Sequence, residues 1–361
     1  MTDTRTLRKG WTTGACATAA ARAAFAALRT GVFPDPVTIR LPKNLAPAFA
    51  LTRWSLSDDG EAATAAITKD AGDDPDVTHG AVVSATVRRL TAGAGIVFRA
   101  GEGVGTVTKP GLPLAVGEPA INPGPRGMIA DNLSDEAGGG AVDLEVTVGI
   151  EHGAELALRT MNPRLGILGG LSVLGTTGVV VPYSCSAWIH SIHRGIDVAR
   201  AAGQDHLIAT TGNTSEKAAR RLYPVPDEAL IDMGDFVGAV LKYLRRHPVP
   251  RLTIAGGLAK ISKLAGGHMD LHSGRSTVDT GALAVLLHDL GAPADAVRGA
   301  RDAATVGAVL EIARGLGLDR RLSDTLCRQA REAALAVLSG GVDVEIIAFD
   351  RQGQEVGRAD A

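Results

Sequence analysis

The chain has 361 residues, 45% hydrophobic and 21% charged, a length and composition that predict two or three folded domains. Lys plus Arg number 37 against 39 for Asp plus Glu, and aromatics make up 3%; a near-neutral balance and few stacking rings argue against nucleic acid as a partner. Cys16, Cys185 and Cys327 show no Cys-x-x-Cys spacing, so a reducing compartment fits better than a disulfide framework.

The opening MTDTRTLRKGW lacks the apolar core of a signal peptide. The apolar stretch from Ala15 to Leu28 is short, alanine-rich and broken by Arg22, which is too little to span a bilayer. A soluble cytoplasmic protein with no membrane partner is expected.

A helix is predicted near 14–29. Strand-like stretches follow at 36–41, 48–57 and 61–70, with a hairpin at Ser57-Asp58-Asp59-Gly60. VVSATVRRL (82–90), GIVFRAG (95–101), GTVTKP (105–110) and VDLEVTVGI (142–150) continue the pattern. This part predicts an α+β domain with a mostly antiparallel sheet. GVVVPYS (178–184), HLIATTGN (206–213), ALIDMGD (229–235) and RLTIAGGLAK (251–260) then each read as a strand and turn before a helix. Repetition of that form predicts a Rossmann-like α/β domain with a parallel sheet and right-handed crossovers, whose ligands bind outside the strands' carboxyl ends. Helices are predicted at about 276–290, 302–315 and 321–338, and a last strand at 342–350 that suits either sheet. The expected division is 1–175 for the α+β domain, 176–265 for the Rossmann-like domain, and 266–361 for a mainly helical segment with a final strand.

Several stretches carry candidate chemistry. Thr12 or Thr13 can cap the first helix, and Gly14 and Ala15 leave its first amides uncovered. An anion can reach such a helix start directly; the same residues also read as a plainly capped core helix. Cys16 reads as a buried small hydrophobe. KDAGDDPDVTHG (69–80) gathers four aspartates, a lysine and a histidine. It offers general-base candidates or simply a solvated acidic turn, and its spacing is not that of an EF-hand. Gly101, Gly103 and Gly105 precede a strand-like TVTKP, so they are not a dinucleotide phosphate loop; a glycine hairpin or a close approach to a ligand remains. INPGPRGMI (121–129) reads as a stiff turn that fixes Arg126 for a carboxylate or exposes it as a structural turn. NPRLGILGGLSVLGTTGVV (162–180) is a Gly-rich connection whose strong polar groups are Asn162 and Arg164. The strand-end turns at Thr211, Gly212 and Asn213, and at Gly256 and Gly257 before Lys260 and Lys263, are the best cofactor positions. The pairs His190/His193 and His268/His272 lack a third ligand at motif spacing, so no metal site is expected.

Taken together, RKGWTTGACATAAA, DVTHG, INPGPRGMI, NPRLGILGGLSVLGTTGVVVPYS, TTGN and KISKLAGGHMDLHS, in that order over about 6–350, resemble the cobalt-precorrin-5B C1-methyltransferase family of anaerobic cobalamin biosynthesis. The resemblance implies a mixed α+β unit joined to a Rossmann-like unit. It implies methyl transfer from S-adenosylmethionine, a co-substrate, to ring carbon 1 of a tetrapyrrole, giving cobalt-precorrin-6A. Cobalt enters only as part of the substrate. On that basis Thr12, Thr13, Gly14, Arg126, Arg164, Lys260, Lys263, His272 and Ser273 are assigned to the acid-rimmed substrate. Thr211, Gly212, Asn213, Gly256 and Gly257 are assigned to the donor, with Gly101, Gly103 and Gly105 as a second donor candidate. Asp76 and His79 are assigned as a base or a partner of the sulfonium. The competing readings are a noncatalytic tetrapyrrole carrier and a nucleotide-dependent transferase, the latter without a Walker pattern. A homo-oligomer and hand-over to neighbouring corrin-pathway enzymes are further expectations.

Overall fold

The computed structural model describes residues 7–360. Residues 1–6, which carry part of the stretch read as lacking a signal peptide, lie outside the described residues. The chain divides into two compact units, one up to Cys185 and one from Ser186.

In the first unit the elements are β1 (Gly10–Trp11), α1 (Thr13–Thr30), β2 (Val37–Thr38), β3 (Ala48–Phe49), β4 (Arg53–Leu56), β5 (Ala62–Thr68), β6 (Val82–Arg89), β7 (Ile96–Ala100), β8 (Thr106–Val107), α2 (Pro123–Glu136), β9 (Leu144–Ile150), α3 (Gly153–Ala157), β10 (Ile167–Leu168) and β11 (Val179–Val180). The main sheet has the order β4-β5-β6-β9-β7. All its pairs are antiparallel except β7–β9. Alternation in β6 and β9 turns Val83, Ala85, Val87, Val146 and Val148 to one face. Against it lies α1, whose alanines from Ala15 to Ala24 are fully buried. Alanine keeps the helix with no rotamer entropy to lose and lets its backbone approach the sheet closely. Thr12 caps α1 through its side chain, and Gly31 ends it in the left-handed conformation.

The second unit contains α4 (Cys185–Ala201), β12 (His206–Thr210), α5 (Asn213–Leu222), β13 (Leu230–Asp232), α6 (Val237–Leu244), β14 (Arg251–Gly257), α7 (Leu258–Ala265), α8 (Thr280–Asp289), α9 (Ala294–Arg301), α10 (Val306–Gly315), α11 (Asp319–Leu338), β15 (Asp343–Phe349) and β16 (Glu355–Ala359). Its sheet has the order β13-β12-β14-β15-β16, parallel except for the last pair. One face packs Leu207, Ala209, Ile231 and Ile254 against α4, α6, α7 and α11. The other packs Ile208, Ala255 and Ile347 against Ala218 and Ala219 of α5.

Four sequence expectations change. The run at 178–184, expected as the first parallel strand, supplies β11, which pairs antiparallel with β1 in the first unit. The fourth parallel strand is β15 instead. The turn expected at 121–129 is the start of α2, with Pro123 and Pro125 in its first turn. Prolines are tolerated there because those amides have no intrahelical partner. The helix expected at 302–315 is α10, starting at Val306, and α9 stands before it at Ala294–Arg301, where no helix was expected. Among the described residues no helix is long and apolar enough to cross a membrane.

The second sheet carries one buried charge network near its amino end. Glu345, 2% exposed, accepts from Tyr223 and Thr253 at 2.6 Å, from Arg251 at 3.1 Å and from Arg358 at 2.9 Å. Burial alone would raise its carboxyl. The Thr253 and Tyr223 hydroxyls and the two guanidinium charges outweigh burial and hold it below the ordinary value. His206, 2.7 Å from Thr253 Oγ1, is held below its ordinary value by burial first and then by the Arg251 charge. Both groups have folded values below their unfolded ones, so the stability they lend is present above the unfolded values and lost on acidification. Thermal melts should therefore be flat above neutrality and fall below about pH 6.5, the ordinary histidine value, and His206→Gln should shrink the onset of that fall, to which His193, also held down by burial, contributes. Glu345→Ala leaves two guanidinium groups without their buried partner and is expected to cost about 3–5 kcal/mol in denaturant unfolding.

Candidate functional site

In the first unit the motif stretches converge on the start of α1. The Thr12 amide donates to Gly178 O at 2.9 Å and the Gly14 amide to Leu174 O at 3.0 Å. Thr12 Oγ1 accepts from the Ala15 amide at 3.2 Å, and Thr13 Oγ1 accepts from the Leu174 amide at 3.0 Å. A Cβ on Gly14 would lie 2.8 Å from Pro125 Cγ, so its lack of side chain admits α2. Thr12, Thr13 and Gly14 are all buried. The amides expected to grip a ring carboxylate are thus spent on the Leu174–Gly178 segment, and these three residues instead fix that segment over the helix end. Leu174 and Thr176 stay exposed on it.

The acidic stretch adjoins them. The Trp11 amide donates to Asp70 O at 2.7 Å, and the Asp73 amide to Arg8 O at 2.9 Å. The Arg8 guanidinium grips both oxygens of Asp70; that hydrogen bond first, and the Gly72 amide after it, bring the Asp70 carboxyl down to about 2. Lys69 is 1% exposed, and its ammonium lies 2.8 Å from Asp76 Oδ2. Asp76 Oδ1 takes the Thr78 amide and hydroxyl at 2.8 and 2.6 Å. Burial would raise Asp76, but Lys69 and Thr78 together leave it lowered. A carboxylate so paired is a weak base. His79 is exposed, but its Nδ1 accepts from the Ala71 amide at 3.1 Å. The neutral ring then carries its proton on Nε2 and offers solvent a donor. Neither residue is arranged as the general base the sequence suggested. Cys16 is fully buried, and burial pushes its thiol up to about 12.

Arg126 sits in the first turn of α2. It donates to Ile121 O at 2.8 Å and pairs with Glu118 at 2.8 Å, its guanidinium 5.3 Å from the Phe98 ring centre. Its charge already has a carboxylate from this chain. Arg164 is half-buried beside β10. Gly101, Gly103 and Gly105 lie against the chain itself: a Cβ on Gly103 would stand 2.0 Å from Ile150 O, and one on Gly105 2.8 Å from Gly170 O. Their small size serves close packing of backbone on backbone.

In the second unit β13 lies on one side of β12 and β14 on the other. The chain therefore reverses its direction of travel at β12, and the carboxyl ends of β12 and β14 flank the switch point. Thr211 and Gly212 follow β12, and Asn213 opens α5. Gly212 has φ 151° and ψ 178°, a conformation open essentially to glycine alone. Gly256 is the penultimate residue of β14, with Thr211 against it: an added Cβ would be 2.8 Å from Thr211 Cγ2. Gly257 begins α7 with open space where a side chain would stand. Lys260 donates to Thr211 O at 2.8 Å and lies 3.0 Å from Asp235 Oδ1. It braces the turns after β12 and β13. Lys263 is buried and donates to Leu271 O at 2.9 Å, which fixes the loop carrying exposed His272 and Ser273. The two lysines assigned to substrate carboxylates thus face inward.

Three residues escaped the sequence reading. Asp232 ends β13, about twenty residues after Gly212, a spacing at which dinucleotide folds place a ribose-binding acid; that spacing was the available signal. Trp188 of α4 donates from its indole to Asp232 O at 3.3 Å, its ring 3.5–3.6 Å from where Gly234 would carry a Cβ. Lys69, the buried partner of Asp76, had no signal at all.

Comparison with known proteins follows the same division. The family described as CbiD matches residues 1–182, and the one described as CbiD, C-terminal domain, matches 270–360. A protein of Paramagnetospirillum magneticum named cobalt-precorrin-5B C(1)-methyltransferase is 58% identical, over 99% of this chain and 100% of its own. One of the same name from Rhodospirillum rubrum is 58% identical over 98% of this chain and 97% of its own. The 1.9 Å crystal structure of a cobalamin biosynthesis protein (cbiD) from Archaeoglobus fulgidus is matched at 26% identity over 74% of this chain and 83% of that one, with a TM-score of 0.38. With motifs, family match and near-full-length relatives in agreement, the chain belongs to the CbiD family.

Proposed function

We propose that this protein transfers a methyl group from S-adenosylmethionine to ring carbon 1 of cobalt-precorrin-5B, giving cobalt-precorrin-6A and S-adenosylhomocysteine. The observation that carries the donor assignment is the switch point between β12 and β14, bounded by Gly212 and Gly257. The α5 amino end offers amides and a partial positive charge to the donor's carboxylate. Asp232 suits the ribose hydroxyls. The tetrapyrrole is assigned to the first unit, where Leu174 and Thr176 stand exposed and the start of α2 at Gly124 lies against Gly175 and Thr176. The names of the relatives support the reaction. The free thiols support a reducing, cytoplasmic setting.

The chemistry asks little of side chains. The sulfur keeps the electron pair of the bond that breaks, and ring carbon 1 supplies the pair for the bond that forms. No proton needs to move in that bond-forming step; the methylated ring afterwards releases one proton to solvent, which makes the net gain one methylene. Placement in line and exclusion of water supply the acceleration. That agrees with Asp76 being tied to Lys69 and His79 to the Ala71 amide.

The direct test is mass spectrometry of cobalt-precorrin-5B after incubation with protein and donor. A gain of one methylene is expected, and an unaltered mass ends the proposal. Gly212→Val and Asp232→Asn should each weaken S-adenosylhomocysteine binding by about 10–100-fold in calorimetry, the range of a charged hydrogen bond at ~1.5–3 kcal/mol. Asp76→Asn should lower the melting temperature, because Lys69 loses its buried partner, while kcat of the folded protein stays close to wild type. A kcat loss of about 10²–10⁴-fold in a folded variant would instead mark Asp76 as a true base.

A further inference from the structure

We propose that Trp188 is the platform on which the donor's adenine stacks, so that donor selectivity for the purine resides in α4. This rests on the donor site assigned above to the carboxyl edge of the second sheet. The ring is fixed, not floating: its Nε1 donates to Asp232 O at 3.3 Å. One part of it rests over Gly234, at the turn that follows β13. Gly234 has φ 54°, and a side chain there would meet the indole at 3.5–3.6 Å from its Cβ. The tryptophan is nevertheless 47% exposed, although the chain carries only three tryptophans. Exposure alone does not single it out, since Trp54 is 52% exposed; what does is a ring held by a hydrogen bond at the strand-end turn beside Asp232, with an open surface that a flat base can cover.

Position selects what covers it. The indole is hydrogen-bonded to the same residue, Asp232, whose carboxylate suits the ribose. A nucleoside whose sugar reaches Asp232 therefore carries its base within reach of the Trp188 ring. The other turns of the edge, at Gly212 and Gly257, offer amides and small residues but no aromatic surface. The purine of an adenosyl group is thus the part of the donor with a matching partner here, and the amino-acid end is left to the α5 start.

The test compares two ligands on the full-length protein. S-adenosylhomocysteine carries adenine; S-ribosylhomocysteine is the same compound without it. Trp188→Ala should weaken S-adenosylhomocysteine by about 5–150-fold, the span of a lost base–aromatic stack, and weaken S-ribosylhomocysteine clearly less, only through the lost indole contact to the Asp232 carbonyl. Trp188→Phe keeps a ring and should recover most of the affinity. Tryptophan emission should be quenched by S-adenosylhomocysteine in the wild type and not in Trp188→Phe. Equal weakening of both ligands, or unchanged S-adenosylhomocysteine binding by Trp188→Ala, overturns the platform. If Gly212→Val still weakens both ligands in those cases, the donor site stands without it. If Gly212→Val and Asp232→Asn bind like wild type, the donor site itself has failed, and the platform with it.

Discussion

The Leu174 and Gly178 carbonyls take the amides of Gly14 and Thr12, and Thr13 returns a hydroxyl to the Leu174 amide. Buried backbone groups must be paired, and α1 is buried at its amino end, from Thr12 through Ala21. The Gly-rich segment answers that need. Because it is drawn down onto α1, β11 can pair with β1, and α2 can approach until Pro125 nearly touches Gly14. The acidic stretch is then placed by the same strand, through the Trp11 amide and Asp70 O. The four motif stretches of this unit are one assembly because each closes the backbone bonds of another.

The second unit solves a different problem. Its sheet reverses direction at β12, so α5 and α6 fall on opposite faces, and a crevice opens at the strand ends. Lys260 ties the turn after β12 to the turn after β13 through Thr211 O and Asp235. An ammonium used in this way stiffens the edge instead of meeting a ligand. The edge carries the α5 amides, Asp232 at the end of β13 and the Trp188 ring beside it. That set suits an adenosyl sulfonium, which has a carboxylate, hydroxyls and a flat base.

Local order was legible where local physics decides it. The alternation in 82–89 and 144–150 and the alanine run of α1 each specify one element, and the strands at 206–210 and 251–257 were readable with their glycine turns. What failed depends on distant partners. Val179 and Val180 look like any buried parallel strand, and only their pairing with Trp11 and Gly10 shows otherwise. Thr12, Thr13 and Gly14 look like an open anion site until residue 174 arrives to occupy it. Lys69 and Asp76 stand among four aspartates, and nothing local says which one the lysine chooses. Pro123 and Pro125 were read as a turn although the first turn of a helix tolerates them equally well. Several of the polar groups picked out for ligands are thus paired within this chain, through partners far away in sequence.

That reassignment bears on how such a protein catalyses. Cations buried at Lys69 and Lys263 and paired at Arg126 and Lys260 are withheld from an acidic substrate. If the ring were held mainly by charge, those groups would be turned outward. They are used to hold turns in place, and turns hold geometry. Methyl transfer from a sulfonium gains most from a fixed approach line, since misplacement of the order of an ångström costs as much as a lost catalytic group. A chain that invests its buried charge in stiffening loops is therefore consistent with chemistry whose bond-forming step moves no proton and tolerates no slack. The same reasoning explains why its glycines matter: where main chain packs on main chain, as at Gly103 against Ile150 O, there is no side chain left to yield.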